Sequence, residues 1–179
     1  MNSSTNTDQP GGQDRNSLDK KVFFLQKLPF FQEISPEIIR LYAYLAEIQE
    51  YPACEPIVLQ GDKSDRFYLL MAGRVAICEH HHEREFHLQT LSAEGLNYFG
   101  ELALLAEFDW FFSAKTLTDV VLLSITREAF HKVMEKYPDQ LAKTVSYIVN
   151  LRIKRFIDQT HYLLDHLKEE AWRECGSQE

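Results

Sequence analysis

The sequence predicts an antiparallel β domain, a sandwich, roll or barrel, with helices flanking and interrupting it. Two observations carry this. Between about residues 55 and 125, short apolar or alternating runs recur at near-regular spacing between turn-forming segments. Outside that window the apolar residues fall at helical spacing instead. At 179 residues the length suits one domain, which at this size buries roughly 70% of the surface its unfolded chain exposes.

Residues 1–20 are rich in Ser, Thr, Asn, Asp, Gln and Gly, with Met1 and Leu18 the only large apolar side chains. Such a stretch buries too little surface to offset its ordering entropy, so a disordered tail is expected, with order beginning near Val22–Leu25. Ser35 and Pro36 then form a helix start: a capping hydroxyl, followed by a residue whose missing N–H costs nothing in the first turn. Ile38, Leu41, Tyr42 and Leu45 follow on one stripe, and the helix is expected to stop before Tyr51–Pro52.

The strand-like runs are 57–60, 67–71, 75–78, 85–91, 111–117 and 120–125, with turn chemistry at Gly61–Ser64, Ala72–Gly73 and Ala93–Gly95. Glu101–Glu107 breaks the rhythm. It holds strong helix formers and no β-branched residue, which predicts a short helix between strands. Thr126 is placed to cap a helix through Tyr137, and Pro138 to open a much longer one.

That last helix carries Ala142, Val145, Val149, Phe156, Leu163 and Leu167 on one stripe, with Leu141, Ile148 and Leu151 beside it. At ~1.5 Å per residue, some 30 residues span ~45 Å, longer than such a domain is thick. A projecting helix with apolar residues on two sides predicts a second helix against it, most simply in a two-fold homodimer. The organisation expected is therefore a tail over 1–20, the β domain with flanking helices over 21–137, a lid or dimerisation helix over 138–170, and a flexible tail over 171–179.

Composition excludes several classes. The formal charge is −8, from 19 Lys plus Arg against 27 Asp plus Glu, the wrong sign for broad binding to nucleic acid or anionic membrane. No run approaches the ~18 apolar residues of a membrane span. The N-terminus lacks the basic start and apolar stretch of a secretory signal. Cys54, Cys78 and Cys175 are an odd number at no metal spacing, as in a reduced, cytoplasmic compartment. His80, His81, His82 and His87 invite a metal reading, but neighbouring charges suit an exposed hairpin tip, and no metal is expected. No phosphate-cradling loop, nucleophile elbow or Cys–His arrangement points to catalysis.

Two segments read together carry a resemblance. They are Gly61-Asp-Lys-Ser-Asp-Arg-Phe-Tyr-Leu-Leu-Met-Ala-Gly-Arg-Val75 and Phe99-Gly-Glu-Leu-Ala-Leu-Leu105, supported by Leu28-Pro-Phe-Phe31, Tyr51-Pro-Ala53 and Ala114-Lys-Thr116. In this order, from about Leu25 to Phe156, the chain resembles the cyclic-nucleotide-binding domain family, of the catabolite activator protein and protein kinase A regulatory subunit type. The resemblance implies an eight-stranded, jelly-roll-like β-roll with an N-terminal helix, a short phosphate-binding helix and a C-terminal lid helix. It also implies a non-catalytic role in signal transduction. The ligand would be cAMP or cGMP, with no cofactor besides. Gly100, Glu101, Leu102 and Ala103 match the phosphate-binding segment. Glu101 corresponds to the carboxylate that accepts the ribose 2′-hydroxyl, and a glycine before a helix start lets a phosphate reach backbone N–H groups. On the long helix, Phe156 would stack on a purine and Arg155 would reach the pocket, with Arg152 and Lys154 close by; these charges also suit a solvated face beside a dimer seam.

The chain departs from the family at one place. Where ligand-binding members carry Pro-Arg-Ala-Ala-Thr (or Ser), whose Arg pairs with the cyclic phosphate, this chain reads Leu105-Ala-Glu-Phe-Asp-Trp-Phe-Phe-Ser-Ala-Lys-Thr116. Matching Lys115-Thr116 to the family requires about two residues deleted. The missing charge-assisted hydrogen bond is worth ~1.5–3 kcal/mol. Three readings stay open: a pocket filled by Trp110, Phe111 or Phe112 in a dimeric adaptor for an unidentified protein partner; weak cyclic-nucleotide binding; or binding of an uncharged nucleoside. A DNA-reading motif after the long helix is not expected, since Asp165–Glu179 holds five acidic and two basic residues.

Overall fold

The computed structural model describes residues 11–175, with side chains placed for 16–165. The element order is α1 (Gly11–Leu25), α2 (Pro36–Leu45), β1 (Glu47–Tyr51), β2 (Pro56–Val58), β3 (Arg66–Ala72), β4 (Arg74–His81), β5 (Arg84–Ser92), β6 (Tyr98–Phe99), β7 (Ser113–Thr116), β8 (Val120–Thr126), α3 (Arg127–Met134) and α4 (Pro138–Cys175). Short 3-10 turns cover Pro29–Phe31 and Glu101–Leu104. Two antiparallel four-stranded sheets, β1-β8-β3-β6 and β2-β7-β4-β5, face each other. This is the mainly β roll with flanking helices that the sequence predicts.

Strand alternation sorts the apolar residues into two interiors. On β3, Phe67, Leu69 and Met71 point to the helices, while Tyr68 and Leu70 point between the sheets. β6 is sorted by its register with β3: Leu69 pairs with Tyr98 and Tyr68 with Phe99, so Tyr98 joins the helical cluster and Phe99 the inter-sheet one. The helical cluster also holds Leu25, Phe31, Tyr42 and Phe130, and there Tyr42 stacks between Phe31 and Phe130.

Several expectations need correction. Residues 11–20, expected as tail, lie in α1. Leu18, Val22, Phe24 and Leu25 give that helix a face on the core, and the Lys21 ammonium donates to the Ala46 carbonyl (2.8 Å) at the end of α2. Residues 1–10 lie outside the described residues. The helix opened by Pro36 stops at Leu45, and residues 47–51, expected as helix, form β1 and pair with β8 from Glu47↔Ser124 to Tyr51↔Val120. The short helix is one 3-10 turn, and α3 ends at Met134. α4 runs past the boundary expected at 170, to Cys175; residues 176–179 lie outside the described residues. Thr126 caps α3 as expected, its hydroxyl accepting from the Ala129 N–H (3.1 Å). Among the described residues no helix is long and apolar enough to cross a membrane.

Candidate functional site

Three pieces of chain meet at the candidate site: the turn after β6, the segment that replaces the family's Pro-Arg, and the middle of α4. The turn after β6 begins at Gly100, which takes a left-handed conformation (φ 81°, ψ 17°) that favours glycine. A Cβ at this position would lie 2.7 Å from the Arg66 carbonyl oxygen and 2.8 Å from Cη2 of Trp110. The indole thus occupies the space that the missing side chain leaves.

The segment 108–112 is fixed by backbone pairing to the loop after β2. The Gly61 N–H donates to the Trp110 carbonyl (2.7 Å), and the Trp110 N–H to the Asp62 carbonyl (2.8 Å). The Ser64 N–H donates to the Phe108 carbonyl (2.8 Å), and the Phe108 N–H to the Ser64 hydroxyl (3.1 Å). This short antiparallel bridge imposes the two-residue period of a strand. Phe108 is half-buried and Trp110 and Phe112 are buried, whereas Asp109 and Phe111 face solvent.

The inward aromatics fill the space between the sheets. Trp110 and Phe112 lie 5.2 Å apart by ring centroids and sit 6.3 and 6.2 Å from Phe99, which stacks on Tyr68 at 4.9 Å. Of the three aromatics named from the sequence as candidate fillers, Trp110 and Phe112 enter and Phe111 does not. The acidic residues also turn away. Asp109 pairs with Lys63 (2.7 Å), and Glu107 lies near Lys63 and Arg127 (3.8 and 3.9 Å). Neither carboxylate faces the interior.

Glu101 is 3% exposed, the only buried charged side chain among the described residues. Its Oε1 accepts from Nη1 of Arg152 (3.2 Å) and from Nη1 of Arg155 (3.4 Å). The Arg155 guanidinium also lies 5.3 Å over the Tyr98 ring. Burial raises the Tyr98 phenol above its usual pKa, and the two arginines oppose that rise. The other site residues named from the sequence are dispersed. Leu102 packs on the helical cluster, Ala103 is fully buried, and Phe156 is 69% exposed on α4. Phe156 lines a shallow groove with Arg152, Ile153, Arg155 and Gln159. The structure thus joins Glu101 to Arg155 and leaves Phe156 outside. The sequence offers Arg152 only as a nearby charge; its spacing of three from Arg155 is the signal, since it puts both on one helix face. At the hairpin tip His80 pairs with Glu85 (3.3 Å) and the His87 ring with the Thr90 hydroxyl (3.0 Å).

A β-roll with an inserted turn and a C-terminal helix over it defines the cyclic-nucleotide-binding class of regulatory domain. The family model for the cyclic nucleotide-binding domain matches residues 48–137, and the chain belongs to that family. The chain is 30% identical over 110 residues to the cyclic AMP receptor protein of Thermus thermophilus, covering 62% of this chain and 50% of that protein. It is 28% identical over 121 residues to a cAMP-dependent protein kinase regulatory subunit of Neurospora crassa, covering 68% and 30%. Among solved structures, the Thermus thermophilus catabolite activator protein superposes with a TM-score of 0.64 at 29% identity, over 77% of this chain and 63% of that one. The chain spans half or less of the length of these two curated relatives.

Proposed function

We propose that this chain is a non-catalytic regulatory module in which the nucleotide's place is taken by the domain's own aromatic side chains. It would work as a homodimer that presents α4 to a protein partner. The observation that carries the reading is the contact between Trp110 and Gly100, with Phe112 and Phe99 packed beside it. A nucleotide entering there must first evict a buried indole. Vacating a large buried aromatic costs ~3–5 kcal/mol, which lowers an apparent affinity by about two to four orders of magnitude. The absent Pro-Arg removes a further ~1.5–3 kcal/mol from phosphate recognition. A ligand of micromolar intrinsic affinity would then bind at roughly millimolar or weaker.

The dimer reading rests on the two faces of α4. Leu141, Ile148 and Leu151 pack on the helical cluster. Ala142, Val149, Phe156 and Leu163 recur every seven residues on an exposed stripe, with Ile153 between them. Val149, Ile153, Phe156 and Leu163 are 41, 51, 69 and 57% exposed. Heptad spacing of exposed apolar residues is the pattern of a helix–helix seam.

One observation favours a second reading, in which the domain senses cAMP, cGMP or a nucleoside. Gly100-Glu101-Leu102-Ala103-Leu104 is retained, and two guanidiniums lie beside the ribose-type carboxylate. Thermal shift with cAMP, cGMP, AMP and adenosine discriminates. Under the filled-site reading no ligand raises the melting temperature at millimolar concentration. A rise of several degrees that Glu101→Ala abolishes would replace it with the sensing reading. Light scattering across a hundredfold concentration range tests the dimer, and a concentration-independent monomer would remove it.

A further inference from the structure

A buried carboxylate without a partner is costly, because desolvation penalises the charge and nothing returns the loss. In the filled site no ribose hydroxyl serves Glu101, yet the group is not left alone. Arg152 and Arg155, one turn apart on α4, both converge on Oε1, and Arg155 lies over Tyr98. These contacts sit where α4 leaves the domain. N-terminal to them, Leu141, Ile148 and Leu151 hold the helix on the core. C-terminal to them, Phe156, Ile157, Tyr162, Leu163 and Leu164 are all exposed.

We infer that Glu101, Arg152 and Arg155 form an internal latch that holds α4 against the roll without a nucleotide. The inference rests on the reading that the site is filled. The guanidiniums stand in for the ligand: they satisfy the carboxylate, and they belong to the element whose position the domain would report. Displacing α4 breaks both charge-assisted hydrogen bonds to Glu101, so the open positions carry a penalty that the closed one does not. Glu101, Arg152 and Arg155 are thus positioning residues that set the direction in which the exposed stripe of α4 leaves the domain.

Hydrogen–deuterium exchange on the full, nucleotide-free chain tests this. In Glu101→Gln, amides of α4 from 148 to 156 are expected to exchange at least tenfold faster, while β3 and β8 keep wild-type rates. Arg152→Met/Arg155→Met should do the same, and the triple variant should exchange no faster than either, since all remove one interaction. Arg152→Lys/Arg155→Lys keeps both charges and serves if Glu101→Gln does not fold; it should give an intermediate rate. Unchanged α4 exchange in the variants would overturn the latch. So would an equal acceleration in β3 and β8, which marks general loosening. Stabilisation of the wild type by cAMP would instead sink the filled-site reading, and the nucleotide-free exchange data would still judge the latch.

Discussion

Two neighbouring segments, residues 99–104 and 108–112, meet at Gly100 but are built on different rules. The first keeps the family's residue types, and most of its side chains turn to the helices: Leu104 enters the helical cluster and Glu101 meets α4. The second has lost the family's Pro-Arg, and its alternate side chains turn between the sheets. On the filled-site reading, the difference teaches that retaining a binding motif need not retain the space the motif served. A nearby segment of a different sequence can close that space without touching the motif.

Breaking the filled interior should have the largest effect. Trp110→Ala is expected to lower the unfolding free energy by ~3–5 kcal/mol, the range for deleting a large buried aromatic, read from denaturant midpoints at unchanged slope. A cost below ~1 kcal/mol would mean that the indole does not fill the interior. Next comes Gly100→Ala, which meets both a left-handed φ and the Trp110 ring; ~1–3 kcal/mol is expected. Combining it with Trp110→Ala sharpens the comparison. The ring clash is then gone, so the double variant should be more stable than the sum of the two losses predicts. The smallest effect falls on Phe111→Ser, within ~0.5 kcal/mol, because the side chain is 52% exposed beside two buried neighbours. A large loss there would contradict the alternation along 108–112.

Much of the fold was legible because local chemistry decided it. Pro36 and Pro138 begin helices, the Thr126 hydroxyl caps α3, and Gly61 and Gly73 take the positive φ their turns require (90° and 85°). β1 was not legible. Ile48 continues the three-residue spacing from Leu45, so the run reads as helix until pairing with β8 claims it. α1 is not legible because its N-terminal part is polar, and among the residues whose side chains are described its packing on the core begins at Leu18. β6 has two residues, too few to show a period. At the site, Glu101 was legible from its motif. Its partners lie more than fifty positions away on another helix, and only the packing of α4 brings them together. Which of Trp110, Phe111 and Phe112 enters depends on register with the loop at 61–64, which composition does not contain.

That register makes the closure a matter of parity. Removing one residue between 105 and 109 while the loop at 61–64 keeps its grip would exchange the two sides of the ribbon. Asp109 and Phe111 would then stand in the dry interior, and the indole would face water. Segment length is therefore constrained more tightly than segment identity: swapping Trp110 for another bulky apolar group should be tolerated far better than shortening the chain by a single position.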